Sequence, residues 1–160
     1  MGFFVYSRTH IAESFFVDLR MKKNTKELSG SCLCKDLQFK VFLPVKWCSN
    51  CHCTRCQKGH GSGFVTWVGF QKDNFTIIKG KEFLQWYNTS KKSEFGFCNK
   101  CGSSILYRSI KCPNEIHITL VNIIDDLNIT PQSDSYFDTH VPWLTFDESI
   151  PKKDDPKLGQ

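Results

Sequence analysis

From Ser29 onward, the pattern of apolar and polar positions reads as a series of short strands. Leu37, Phe39, Val41 and Leu43 alternate with other residues, and the run stops at Pro44. Residues 64–70 form an apolar, β-prone run behind a loop marked by Gly59, Gly61 and Gly63. Shorter strands are predicted over 75–78, 83–87, 93–97, 104–107 and 116–121, with Gly80-Lys81 and Asn88-Thr89-Ser90 as separators. Helical periodicity is weak throughout, and residues 53–58 suffice for one or two turns. The expected fold class is mostly β, built from short strands. Residues 1–27 mix aromatics with charges and lack a strand pattern. They are expected to be a poorly ordered N-terminal extension, with 15–20 able to form a short helix or docking segment and Met21 a natural start in its own right. Residues 28–151 form the domain, and 152–160, rich in Lys, Asp and Pro, a flexible tail.

Composition narrows the class. A chain of 160 residues suits one domain with a real core. Fourteen Phe and four Trp against two Met favour a core of rigid rings. No apolar run reaches the roughly 20 residues of a membrane-spanning helix. The charge of +5 is mild, and the doublets Lys22-Lys23, Lys91-Lys92 and Lys152-Lys153 have acidic or polar neighbours. Such dispersed charge reads as solvated surface rather than a nucleic-acid patch, although a weak positive field helps capture a small anion.

Nine cysteines change the picture most. The count is odd and the spacings are tight, which suits a metal better than a secreted disulfide framework. The start of the chain lacks the basic n-region of a secretory signal. A reducing, cytoplasmic localisation is expected. Cys98-Asn99-Lys100-Cys101-Gly102 is a C-x-x-C knuckle, and Cys32 and Cys34 supply two further thiolates. Four thiolates close a tetrahedral zinc and leave no open position, which makes this site structural. Cys51-His52-Cys53-Thr54-Arg55-Cys56 offers three thiolates in six residues, the arrangement of a catalytic zinc with one position free. Cys48, three residues earlier, leaves open a second closed site or an iron–sulfur cluster. His52 reads as a hydrogen-bond donor or proton carrier beside the metal.

Gly30-Ser31-Cys32-Leu33-Cys34, then Cys51 to Lys58, then Phe97 to Ser103, in this order, resemble the glutathione-dependent formaldehyde-activating enzyme family, which includes centromere protein V. The resemblance runs from about Ser29 to about Pro151. It implies an Mss4-like, zinc-bound fold of several short coiled antiparallel sheets. It implies a structural zinc on Cys32, Cys34, Cys98 and Cys101 and a catalytic zinc on Cys51, Cys53 and Cys56. The implied reaction is the condensation of formaldehyde with glutathione to S-(hydroxymethyl)glutathione, a carbon–sulfur lyase chemistry. Gln57-Lys58 departs from the basic pair usual after the third cysteine. Gly61 and Gly63, with Lys58, are expected to hold a glutathione carboxylate, as glycine-rich backbone nests do; the glycines equally suit a simple turn. His140 is a weaker site candidate, and Trp143 is expected to anchor the core.

In the expected chemistry, the zinc-held glutathione sulfur attacks formaldehyde, and His52 or a water protonates the new alkoxide. A rival class is a zinc-stabilised module that binds nucleic acid or protein without catalysis. A second enzyme rival is a B-type methionine sulfoxide reductase, suggested by Cys112-Pro113 but opposed by the Cys32/Cys34 spacing; Cys112 otherwise reads as a small buried or loop residue.

Overall fold

The computed structural model describes residues 26–154. Positions 1–25 of the expected extension, including 15–20 and Met21, lie outside the described residues. The chain forms β1 (Glu27–Ser31), β2 (Gln38–Phe42), β3 (Trp47–Cys51), α1 (Thr54–His60), β4 (Val65–Gln71), β5 (Phe75–Lys79), β6 (Leu84–Ser90), β7 (Ser93–Cys98), β8 (Ser104–Ser109), β9 (Glu115–Thr119), β10 (Asp134–Ser135) and β11 (Lys152–Lys153). The mostly-β expectation holds. The strands make a three-stranded sheet, β1-β2-β5, and an eight-stranded sheet, β11-β10-β3-β4-β9-β8-β7-β6. Pairing is antiparallel except where the two-residue β10 runs parallel to β3 and β11. The expected tail from residue 152 thus begins with two residues hydrogen-bonded into the large sheet, where Lys152 also reaches the buried Asp134. No helix among the described residues is long and apolar enough to cross a membrane.

The strand period sorts the large sheet into two unlike faces. One face carries Val68, Phe70, Leu106, Ile116 and Ile118, which pack with Leu28, Phe39 and Val41 of the small sheet and with Leu37 just before β2. These side chains are at most 5% exposed, and burying each contributes about 1.5–3 kcal/mol. The opposite face carries Trp47 and Cys51 of β3, Val65 and Trp67 of β4, Phe95 of β7 and Tyr107 of β8, and packs against Cys53 and Cys56 at the start of α1. Registers Trp47↔Gly69, Gly69↔His117 and Tyr107↔His117 bring four strands together on this side. The indole of Trp47 lies directly over Gly69, where an added Cβ would sit 2.3 Å from the ring. Only glycine admits the indole there, and Trp47 meets His117 edge-on at 4.6 Å between ring centroids.

Candidate active site

Two cysteine clusters form. The first gathers Cys32 and Cys34, just after β1, with Cys98 and Cys101 of the β7–β8 turn, their sulfurs all within 4.8 Å of one another. Gly102, at φ 77°, lets the chain double back so that its N–H reaches Cys98 O at 2.8 Å. The Cys32 and Cys34 sulfurs are 3.4 Å apart and those of Cys34 and Cys98 4.0 Å. A tetrahedral zinc with Zn–S near 2.3 Å separates sulfurs by about 3.8 Å, so the donors fit that ion. The titration of the sulfurs also calls for a cation. The Asp36 backbone favours the Cys34 thiolate, but burial and the neighbouring sulfurs push this thiol up to about 12. Burial opposes ionisation of Cys101 too, yet Ser103 and Cys34 bring it down to about 6. One charge is welcome here; four are stable only around a metal.

The second cluster holds Cys51, at the end of β3, with Cys53 and Cys56, again within 4.8 Å. Cys53 is the N-cap of α1, and its sulfur accepts the Cys56 N–H at 3.4 Å. One helical turn therefore brings both thiols onto the same side. Trp67 Nε1 donates to Cys56 Sγ at 3.4 Å. Hydrogen bonds from Cys51 and Cys56 take Cys53 down to about 2 against the effect of burial. The Cys53 thiol pushes Cys51 up to about 12, and Cys51, Cys53 and burial hold Cys56 well above the ordinary thiol value. The first negative charge settles on Cys53 and resists the next two. Three thiolates here likewise fit a thiophilic cation, with one position left for another ligand.

Beside this cluster lies a cavity of about 500 Å³, within the usual range for a small-molecule site. All three cysteines line it, with Trp67, Phe95 and Tyr107 as an aromatic wall. Trp67 and Phe95 stack at 6.1 Å between centroids, and Tyr107 contacts both. Four cationic residues, Arg55, Lys91, Lys92 and Lys111, line it, and among the described residues no Asp or Glu does. Trp47, Cys112 and His117 line the same cavity. By strand rise, Trp47 lies about 13 Å along β3 from Cys51, so the cavity is elongated.

Several expected site residues sit elsewhere. His52 is fully buried and does not line the cavity. Its Nε2 donates to Asp134 Oδ1 at 3.0 Å, and its ring is packed by Phe64, Phe137 and Phe146. Continuing the alternation of β3 turns it away from Cys51 and Cys53, and it braces the β3–β10 edge. Cys48 also points to the other face of β3 from Cys51; it is buried in the main core, and burial pushes its thiol up to about 11. Gly61 caps α1 at φ 61°, and Gly63 is buried where a side chain would strike Leu144 and Val141. Lys58 is exposed, and none of these three lines the cavity. Gln57 donates to the carbonyls of His52 and Thr139, tying α1 to the C-terminal segment. His140 stacks on Phe137 away from the cavity. Trp143, expected in the core, is 68% exposed, because the segment around it lies on the surface over Gly63.

Residues 27–139 match the sequence profile of the family described as glutathione-dependent formaldehyde-activating enzyme. The fold is similar to the crystal structure of a Rhodobacter sphaeroides protein from the Northeast structural-genomics effort, 17% identical, with a TM-score of 0.52 over 65% of this chain and 92% of that one. No curated protein matches. With the profile covering most of the chain, including both cysteine clusters, the chain belongs to the glutathione-dependent formaldehyde-activating enzyme family.

Proposed function

We propose that the protein is a zinc-dependent carbon–sulfur lyase-type enzyme that joins formaldehyde to glutathione as S-(hydroxymethyl)glutathione, working in a reducing cytoplasm where its nine cysteines stay free. The observation that carries the reading is a three-thiolate cluster in the wall of a cavity with four cationic and no acidic lining residues. Cys51, Cys53 and Cys56 would hold a zinc, which when bound would keep an incoming thiol ionised near neutral pH. The second zinc, on Cys32, Cys34, Cys98 and Cys101, holds the β1 end to the β7–β8 turn.

Glutathione carries two carboxylates against one amine, and Arg55, Lys91, Lys92 and Lys111 offset that negative charge. Trp67, Phe95 and Tyr107 exclude water beside the sulfur. The glutathione thiolate attacks the formaldehyde carbon, a C–S bond forms, and the carbonyl π pair moves to oxygen. The new alkoxide takes a proton from the Tyr107 hydroxyl, which burial raises and keeps protonated, and Tyr107 recovers through water the proton that the glutathione thiol released on ionising. The addition is easy without a catalyst, and positioning both partners supplies most of the gain.

The test is exchange NMR of ¹³C-formaldehyde with glutathione. Zinc-loaded protein is expected to speed the exchange, and Cys53→Ser to lose the effect. An exchange rate equal to the protein-free rate overturns the reading.

A further inference from the structure

At the end of the cavity away from Cys51, the lining residues Cys112 and His117 meet Glu115, which stands just outside the lining. The turn Cys112-Pro113-Asn114-Glu115 is closed by Glu115 N–H to Cys112 O at 3.0 Å, with proline in its favoured second position. Glu115 and His117 follow on one face of β9 by strand alternation. Local structure alone therefore aims Cys112 Sγ, Glu115 Oε2 and His117 Nε2 at a common point, all within 4.8 Å of one another.

Their arrangement separates two chemistries. In a nucleophile–base–carboxylate relay the imidazole uses one nitrogen for the thiol and the other for the carboxylate. Here the same nitrogen, Nε2, faces Cys112 Sγ at 3.8 Å and Glu115 Oε2 at 3.2 Å. A nitrogen that donates to Glu115 cannot also accept the Cys112 proton, so the group is no relay. Around a tetrahedral ion with ordinary zinc bond lengths, a sulfur and a nitrogen lie about 3.6 Å apart and a nitrogen and an oxygen about 3.3 Å. Both separations match.

The geometry points to a third metal site, in which Cys112, Glu115 and His117 hold one borderline divalent cation such as zinc, with its remaining position open to the cavity. Trp47 Nε1 donates to Glu115 Oε2 at 3.1 Å, and Lys46 pairs with Oε1, so the carboxylate is oriented before any metal arrives. Trp47 and Tyr107 flank the His117 ring, Tyr107 stacked at 5.2 Å. A single thiolate and the nearby Lys46 and Lys111 charges make this the weakest of the three sites. It fills last, after the cysteine clusters. Its open position suits a carboxylate or a second thiolate. The site stands on its own geometry and does not depend on the glutathione reading.

The test dialyses the full-length protein against metal buffers spanning a range of free zinc and counts bound zinc by mass spectrometry. Wild type is expected to reach one equivalent more than Cys112→Ser and His117→Gln at the upper end, with unchanged far-ultraviolet circular dichroism. The same extra equivalent should slow alkylation of Cys112 in the wild type, a readout that requires no variant. Equal zinc content in wild type and folded variants at every free-zinc level overturns the site. So does Cys112 alkylation that is indifferent to zinc.

Discussion

Replacing Asp134 with alanine tests the edge that holds the cavity cluster in place. Asp134 is 1% exposed and accepts Asn50 Nδ2 at 2.9 Å, His52 Nε2 at 3.0 Å and Lys152 Nζ at 3.1 Å. Burial alone would raise its carboxyl, but these three donors outweigh burial and hold it below the ordinary carboxylate value. Each hydrogen bond to a charged group is worth about 1.5–3 kcal/mol. The sum overstates the loss, because Lys152 keeps partial access to water. Breaking a buried ionic arrangement by removing one partner costs about 3–5 kcal/mol, a large share of a domain's usual stability of about 5–15 kcal/mol. Urea unfolding of zinc-loaded Asp134→Ala at pH 7 should therefore show a loss of about 3–5 kcal/mol, with Tm lower by about 10 °C. The sign with pH follows from the depressed carboxyl. Its contribution is complete above the unfolded value near 3.9 and disappears only as pH falls through the lower folded value. Above about pH 5, titration of Asp134 should add nothing to the difference. A loss under about 1 kcal/mol would refute the argument that this network braces β3 against β10.

Three further outcomes follow from the two clusters and the cavity rim. Cys53→Ser should lose one zinc by elemental analysis and all measurable exchange activity, while unfolding stays cooperative, since the four-cysteine cluster remains. Cys98→Ser should abolish the cooperative transition, because a structural zinc site supplies about 10–16 kcal/mol, comparable to the whole stability of a domain; a normal urea curve would contradict this. Lys91→Gln with Lys92→Gln should weaken glutathione binding about three- to thirtyfold at low salt, each charge contributing up to about 1 kcal/mol, and the gap should close as salt shortens the screening length. A salt-independent gap, read by calorimetry, would assign the lysines a different role.

Most of the strands were legible in the sequence: β2, β4, β5, β6, β7, β8 and β9 each overlap an expected run. β3 was not, because Trp47-Cys48-Ser49-Asn50-Cys51 carries no apolar alternation. Its middle is buried polar, satisfied by partners far along the chain: Ser49 by Ser133 and Ser135, Asn50 by Asp134 and Thr66. Long-range hydrogen bonds of that kind leave no local periodicity. The two cysteine clusters were legible because tight spacing is itself local chemistry. Once β3 is known to be a strand, parity alone separates Cys48 from Cys51, and it also sends His52 away from the cavity. The cavity was hidden for a related reason. Trp67, Phe95 and Tyr107 look like ordinary strand aromatics, and His117 sits between two core isoleucines. Only the pairing of β3, β4, β9, β8 and β7 places them on one face. The signal that could have found His117 is its alternation with Glu115, since both face away from the core.

The central claim is that the open position of the Cys51, Cys53 and Cys56 cluster takes the sulfur of glutathione. Calorimetric titration of glutathione into zinc-loaded protein tests it most directly, with S-methylglutathione as the control that keeps both carboxylates but cannot offer a thiolate. The account predicts saturable one-to-one binding of glutathione that is lost in Cys53→Ser and strongly weakened for the S-methyl compound. Equal affinity for the two compounds, or no saturable binding while both cysteine clusters hold zinc, would contradict it.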